Sequence, residues 1–110
     1  MKNSAESLRS LDKPLQRLLG GFIRMHVLHH ADDGGVYGNW MIEELRRHGY
    51  KISPGTLYPM LRAMEKVGWI RGKREAGGTR RHLYTITTKG RKALREAREK
   101  LRELFGEVAR

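Results

Sequence analysis

With 110 residues, 38% of them hydrophobic, the chain is sized for one domain with a modest core and falls short of the length at which chains divide in two. It has no cysteine, which removes disulfides and thiolate metal sites and fits a reducing compartment, so a cytoplasmic protein is expected. The formal charge of +11 is uneven: residues 1–52 carry eight basic and six acidic side chains, residues 53–92 ten and two, and residues 93–110 five and four.

The opening MKNSAESLRSLDKP has no apolar stretch of signal-peptide length, and later apolar runs are broken by charge, so neither secretion nor a membrane partner is expected. Residues 1–13 read as an N-terminal arm. Leu15, Leu18, Leu19, Phe22, Met25 and Val27 then recur at roughly helical spacing and predict a first helix from about Pro14 to His30, with Asp12 as N-cap, Pro14 in the first turn and Gly20-Gly21 as its weak point. The acidic, glycine-rich run from Ala31 to Gly35 predicts a loop. Tyr37, Met41, Ile42 and Leu45 mark a short second helix ending at Gly49.

Ser53-Pro54-Gly55-Thr56 is a strong helix start, with serine at the N-cap and proline at the first helical position. The third helix is predicted to run to about Val67. Leu57, Met60, Leu61 and Met64 form one stripe, leaving Gly55, Thr56, Pro59, Arg62, Ala63 and Lys66 on the far side and Tyr58 on the flank. Trp69 to Arg74 and Arg80 to Thr87 flank the pair Gly77-Gly78, and His82, Tyr84 and Ile86 alternate with Arg81, Leu83 and Thr85, which predicts a two-stranded hairpin. Lys73, Arg74, Arg80 and Arg81 crowd its tip with like charges that a polyanion would relieve. From Thr88 the helical period returns, and Leu94, Ala97, Leu101, Leu104 and Val108 form a heptad seam of just over two repeats, a candidate homodimer contact if the first helix packs beside it.

Three helices, the second and third joined by a tight turn, followed by a basic hairpin, predict a mainly α winged helix-turn-helix over residues 14–87 with a C-terminal dimerisation helix over 88–110. In that fold the third helix enters the major groove of double-stranded DNA and the wing lies on the backbone or in the minor groove. A membrane-surface protein would concentrate its charge on one amphipathic helix, whereas here the excess spans a helix and a hairpin. The candidate DNA-binding residues are Ser53, Thr56, Tyr58, Arg62 and Lys66 on the third helix and Lys73, Arg74, Gly77, Gly78, Arg80 and Arg81 on the wing. Each has an ordinary alternative: a solvated charged hairpin for the wing, a packing aromatic for Tyr58, a solvated side chain for Arg62.

The stretch Glu43 to Leu61, EELRRHGYKISPGTLYPML, resembles the PadR family of bacterial and archaeal transcriptional regulators, and GTLYPML is its most specific part. The run RRHLYTITTKG resembles the second wing strand and the start of the last helix in the same family, so the likeness covers about residues 36–92. Two departures bear on local contacts: Gly38-Asn39 stands where many members have Gly-Tyr, and Thr79 where many have proline. The resemblance implies a homodimer joined through C-terminal helices, commonly a repressor on inverted-repeat operators, with a small aromatic effector releasing the DNA in some members. It also implies a DNA contact for Tyr58.

Other chemistry finds little footing. No cofactor is expected. GGTRR lacks the phosphate-loop spacing, and no nucleophile stands with a base, so an enzyme is not expected. His26, His29 and His30, followed by Asp32 and Asp33, share helical spacings that can hold a metal, but no further ligand motif accompanies them and no metal is expected. Trp40 and Trp69 read as core or interface aromatics, with an effector pocket as the minority reading. The runner-up function is a winged-helix module serving non-specific nucleic-acid architecture or docking an acidic protein.

Overall fold

The computed structural model describes residues 13–75 and 81–108. In chain order these form α1 (Lys13–Asp32), β1 (Val36–Tyr37), α2 (Gly38–Arg47), α3 (Pro54–Lys66), β2 (Ile70–Arg74), β3 (His82–Ile86) and α4 (Thr88–Val108). The expected N-terminal arm, its N-cap Asp12 and the wing residues Gly77, Gly78 and Arg80 lie outside the described residues. The strands make one antiparallel sheet in the order β1-β3-β2, with Val36 opposite Tyr84 and Ile70 opposite Ile86. The wing thus has three strands where the sequence predicts two. A two-residue strand offers no alternation to read, and Tyr37, expected in the second helix, is instead its N-cap in extended conformation.

One device ends both helices of the helix-turn-helix. Gly49 and Gly68 sit at φ +89° and +87°, just beyond α2 and α3. Gly49 N–H donates to Arg46 O and Tyr50 N–H to Leu45 O, while Gly68 N–H donates to Glu65 O and Trp69 N–H to Met64 O. Both are Schellman closures, in which a left-handed glycine lets the chain fold back onto the last carbonyls. The first aims the chain toward α3 and the second into the wing. The start of α3 follows expectation in position: Ser53 is the N-cap and Pro54 the first helical residue, but the serine hydroxyl faces Thr56 Oγ1 at 3.3 Å instead of capping a backbone N–H.

The core gathers Val27, Leu28 and Ala31 of α1, Met41 and Leu45 of α2, Leu57, Leu61 and Met64 of α3, Val36, Ile70, Tyr84 and Ile86 of the sheet, and Leu94 of α4. Met60, expected in the buried stripe, is only half-buried. The helix α1 runs two residues past its predicted end because Ala31 is itself a core residue. Its apolar positions divide between two faces: Ile23, Val27 and Leu28 are buried, whereas Leu15, Leu18 and Phe22 are exposed. Among the described residues no helix is long and apolar enough to cross a membrane.

The first turn of α4 is welded to the wing. Thr87 donates its backbone N–H to Trp69 O at 3.0 Å and shares its hydroxyl between the Gly68 and Trp69 carbonyls, while the same oxygen accepts from Gly90 N–H at 3.0 Å and so caps α4. Gly90 lies so close to the wing that a Cβ there would fall 2.1 Å from the Trp69 carbonyl oxygen. Gly90→Ala is therefore expected to destabilise the fold by about 2–3 kcal/mol, since backbone cannot step aside cheaply. Gly21 in α1 meets nothing within 4 Å, so Gly21→Ala is expected to stabilise by about 0.5–1 kcal/mol. Urea unfolding of the two variants checks both signs.

Candidate nucleic-acid interface

The outer face of α3 is free. Thr56, Arg62 and Lys66 are exposed together with Gly55, Pro59 and Ala63, opposite the buried Leu57, Leu61 and Met64. Ser53 is exposed at the head of the same helix. Tyr58 is half-buried on the flank, its hydroxyl 3.3 Å from Asn39 Oδ1 in the first turn of α2. That approach depends on Gly38, where an added Cβ would lie 2.4 Å from the tyrosine oxygen. Glycine at this position lets the two helices of the helix-turn-helix close on each other.

The register of the wing divides its basic residues between two faces. Side chains alternate along a strand, so Gly72 and Arg74, opposite Tyr84 and His82, share one face, while Arg71 and Lys73, opposite Thr85 and Leu83, share the other. Arg71, Lys73, Arg74 and Arg81 are all exposed. The face toward α3 is held by Gly72 N–H donating to Glu65 Oε2 at 3.1 Å and by the close fit of Gly72 against the Tyr84 ring. Burial, with Glu65 nearby, raises the Tyr84 phenol above its usual value, so it stays neutral.

Where β1 ends, a recess of about 250 Å3 opens between the two helices and the wing, lined by Tyr37, Asn39, Tyr58, Arg81, His82 and Tyr84. The Arg81 guanidinium lies 4.7 Å from the centre of the Tyr37 ring, and the Tyr37 hydroxyl donates to Glu75. Tyr37, Asn39 and His82 are not among the DNA-binding residues expected from the sequence. Tyr37 was hidden by its fit to the apolar period of α2, and only the pairing of β1 with β3 brings it beside Arg81.

The histidines pack into one aromatic cluster with Tyr50 and Trp40. His26 packs against His48 at 4.6 Å between ring centres, against Tyr50 at 5.8 Å and against His30 at 6.4 Å, and His30 meets Trp40 edge-on at 5.1 Å. Glu44 holds the group together, with His30 Nε2 at 3.3 Å, His48 Nε2 at 3.1 Å and Arg47 at 2.8 Å. His29 faces Arg98, and Asp32 pairs with Arg91 of α4. Among the described residues no group of three histidine, cysteine or carboxylate side chains is placed to hold a metal ion.

Residues 27–96 match the model of the transcriptional regulator PadR-like family. The transcriptional regulator Rv3488 of Mycobacterium tuberculosis is 48% identical over 87 residues, covering 78% of this chain and 81% of its own. Among solved structures, a PadR family transcriptional regulator from Eggerthella lenta superposes with a TM-score of 0.71 at 31% identity, covering 86% of this chain and 80% of its own. A PadR-like transcriptional regulator from Bacillus cereus superposes at 0.67 and 30% identity, covering 84% and 89%.

The histidine stack predicts a pH dependence of stability. Burial, then the neighbouring imidazoles, hold His26 below the usual histidine value against the opposing pull of Glu44. His30 is lowered by burial and by His29, with Glu44 and Asp33 opposing. A histidine whose folded pKa is depressed contributes stability that is present above its unfolded value near pH 6.5 and is lost as pH falls through the folded pKa. Glu44 is lowered chiefly by its hydrogen bond to Arg47, and its contribution is lost in a separate, more acidic window. The urea midpoint is therefore expected to fall between about pH 7.5 and pH 5.5, and to fall less in His26→Phe, which keeps the ring and removes the proton.

Proposed function

The chain belongs to the PadR-like family of transcriptional regulators, and on that premise we propose that it is a repressor, working as a homodimer on an inverted-repeat operator and released by a small aromatic effector. It is a DNA-binding regulator and not an enzyme; repression, the dyad operator, the dimer and the effector are the finer reading. The observation that carries the DNA contact is the solvent-facing side of α3, where Thr56, Arg62 and Lys66 stand exposed behind a fully buried stripe, with the basic wing beside it. Ser53, Thr56, Tyr58, Arg62 and Lys66 then meet base edges and the flanking phosphates in the major groove, and Lys73, Arg74, Arg81, Arg80 and the Gly77-Gly78 tip follow the backbone. Residues 14–87 act as the DNA-binding domain and residues 88–110 as the dimerisation helix.

The dimer reading is supported by an apolar groove of about 500 Å3 between α1 and α4, lined by Leu18, Phe22, Met25, Trp69, Ala97, Leu101 and Leu104 among others. Beyond it Phe105 and Val108 are 65% and 71% exposed. Leu94, expected at the head of the interface seam, is instead 2% exposed inside the domain core, so the free part of the seam is Ala97, Leu101, Leu104 and Val108. Covering these exposed apolar side chains on two copies contributes a hydrophobic gain that offsets the cost of association. The same groove, with Phe22 and Trp69 in its wall, is the place proposed for an aromatic effector.

Three measurements check the reading. Leu101 and Leu104 are exposed in the protomer, so the double change of both to glutamate leaves the domain folded and is expected to give a monomer by light scattering; an unchanged dimer mass would remove this seam from the interface. In anisotropy titrations over a salt series, Arg74→Ala is expected to weaken selected and scrambled duplexes alike and to lower the magnitude of the salt slope by about one, the signature of a lost phosphate contact. Arg62→Ala is expected to cost about 1–3 kcal/mol on the selected duplex only. Selection that enriches no dyad, with half-sites about one helical turn or roughly 10 bp apart, would favour the architectural alternative.

A further inference from the structure

We propose that the recess between Tyr37, Asn39, Tyr58 and Arg81 seats one phosphate of the DNA backbone, and that Glu75 is an internal anion which holds the Tyr37 hydroxyl until that phosphate arrives. The inference rests on the DNA-binding reading and names a contact within it. Three observations carry it. The recess has space, about 250 Å3 at the junction of the recognition helix, the first turn of α2 and the wing. It is rich in groups suited to phosphate oxygens: three phenols, a carboxamide and a guanidinium, with His82 completing the wall. And one of its donors already meets an anion, because the Tyr37 hydroxyl donates to the Glu75 carboxylate while Arg81 lies 4.7 Å over the same ring.

The gap is built by topology. Strand β1 pairs Tyr37 with Leu83 and then turns into α2 at Gly38, so β3 runs on past it and the edge of the sheet at His82 and Arg81 has no third strand beside it. Glycine at 38 keeps the gap open on the helix side, since any Cβ there would collide with the Tyr58 hydroxyl and drive that side chain outward. Arg81 is exposed and lies over the face of an aromatic ring, and among the described residues no carboxylate pairs with it, so its N–H donors can turn to a phosphate. Glu75 is one of only two acidic residues between 53 and 92, and Glu65, the other, is engaged by Gly72 N–H. A carboxylate at this point opposes DNA by charge and by occupying a donor, and its displacement makes the wing contact conditional on a correctly placed phosphate.

The test uses duplexes recovered by selection and a panel of the same duplexes with single phosphates replaced by neutral methylphosphonates. Tyr37→Phe is expected to bind the unmodified duplex roughly tenfold more weakly, the cost of a hydrogen bond to a charged partner. At one position in each half-site the methylphosphonate is expected to weaken wild type similarly and to abolish the difference between wild type and Tyr37→Phe. Glu75→Gln is expected to bind several-fold more tightly, with the gain absent in the Tyr37→Phe background, whereas a purely long-range charge effect would persist there. Wild-type affinity in Tyr37→Phe, or a Tyr37→Phe loss unchanged on every neutralised duplex, overturns the seat while leaving the DNA-binding reading intact. A Glu75→Gln gain that survives without the Tyr37 hydroxyl overturns the role given to Glu75. Wild type that binds no duplex at all overturns the DNA-binding reading and the seat with it.

Discussion

The whole arrangement turns on the contact between Gly90 and the Trp69 carbonyl. At that point α4 crosses the base of the wing with no room for a side chain, and Thr87 converts the crossing into a joint by bonding both carbonyls that end the α3 turn and capping α4 with the same oxygen. A threonine hydroxyl supplies one donor and two acceptor sites, and here it is used in both senses between three segments. The consequence is mechanical. The end of α3, the first residue of β2 and the first turn of α4 move as one body, so the direction in which α4 leaves the domain is tied to the direction of the wing. The spacing of two such wings in a dimer would then be set by how two copies of α4 pack, and not by any flexible linker.

Electrostatics add selectivity more than stability to this frame. Unit charges 4 Å apart in water interact by only about 1 kcal/mol, and the Debye length at physiological salt is about 8 Å, so crowded cations on the wing cost the free protein little. The register weakens the repulsion further by sending Arg71 and Lys73 to one face and Arg74 to the other. What the charges do provide is the means to release counterions condensed on a polyanion, a gain absent in the free protein. The few surface ion pairs, such as Asp32 with Arg91, sit away from the wing and contribute little by themselves.

The helix-turn-helix was legible in sequence because its signals are local: a proline at the first turn, glycines at two helix ends, and an apolar stripe on α3 that matches the burial of Leu57, Leu61 and Met64. The third strand was not, because β1 is two residues long and exists only through pairing with β3, some fifty residues later in the chain. The seam from Leu94 to Val108 has one period but two environments, since periodicity reports which residues share a face and not how far along the helix its partner extends. The apolar residues of α1 pose the converse difficulty, as Leu18 and Phe22 look like core when one face is assumed and prove to belong to a second. The donors around the recess carry no spacing pattern at all. Tyr37, Asn39 and Tyr58 come from three elements and Arg81 from the residue before β3, and only the fold assembles them.

Trp69 is where the groove and the wing share atoms. Its indole lines the apolar groove between α1 and α4, its carbonyl receives both the N–H and the hydroxyl of Thr87, and the next residue begins β2. An occupant of the groove, whether a second copy or a small aromatic molecule, therefore touches the side chain of a residue whose backbone anchors the wing. Contact alone does not make a switch. A ligand shifts a conformational equilibrium only by the difference in its affinity for the two states, so an effector that fills the groove without changing the position of the indole binds without altering the wing. One that needs the indole displaced works against the Thr87 joint, and the difference in its affinity for the two positions of the indole sets how far it can shift the base of the wing.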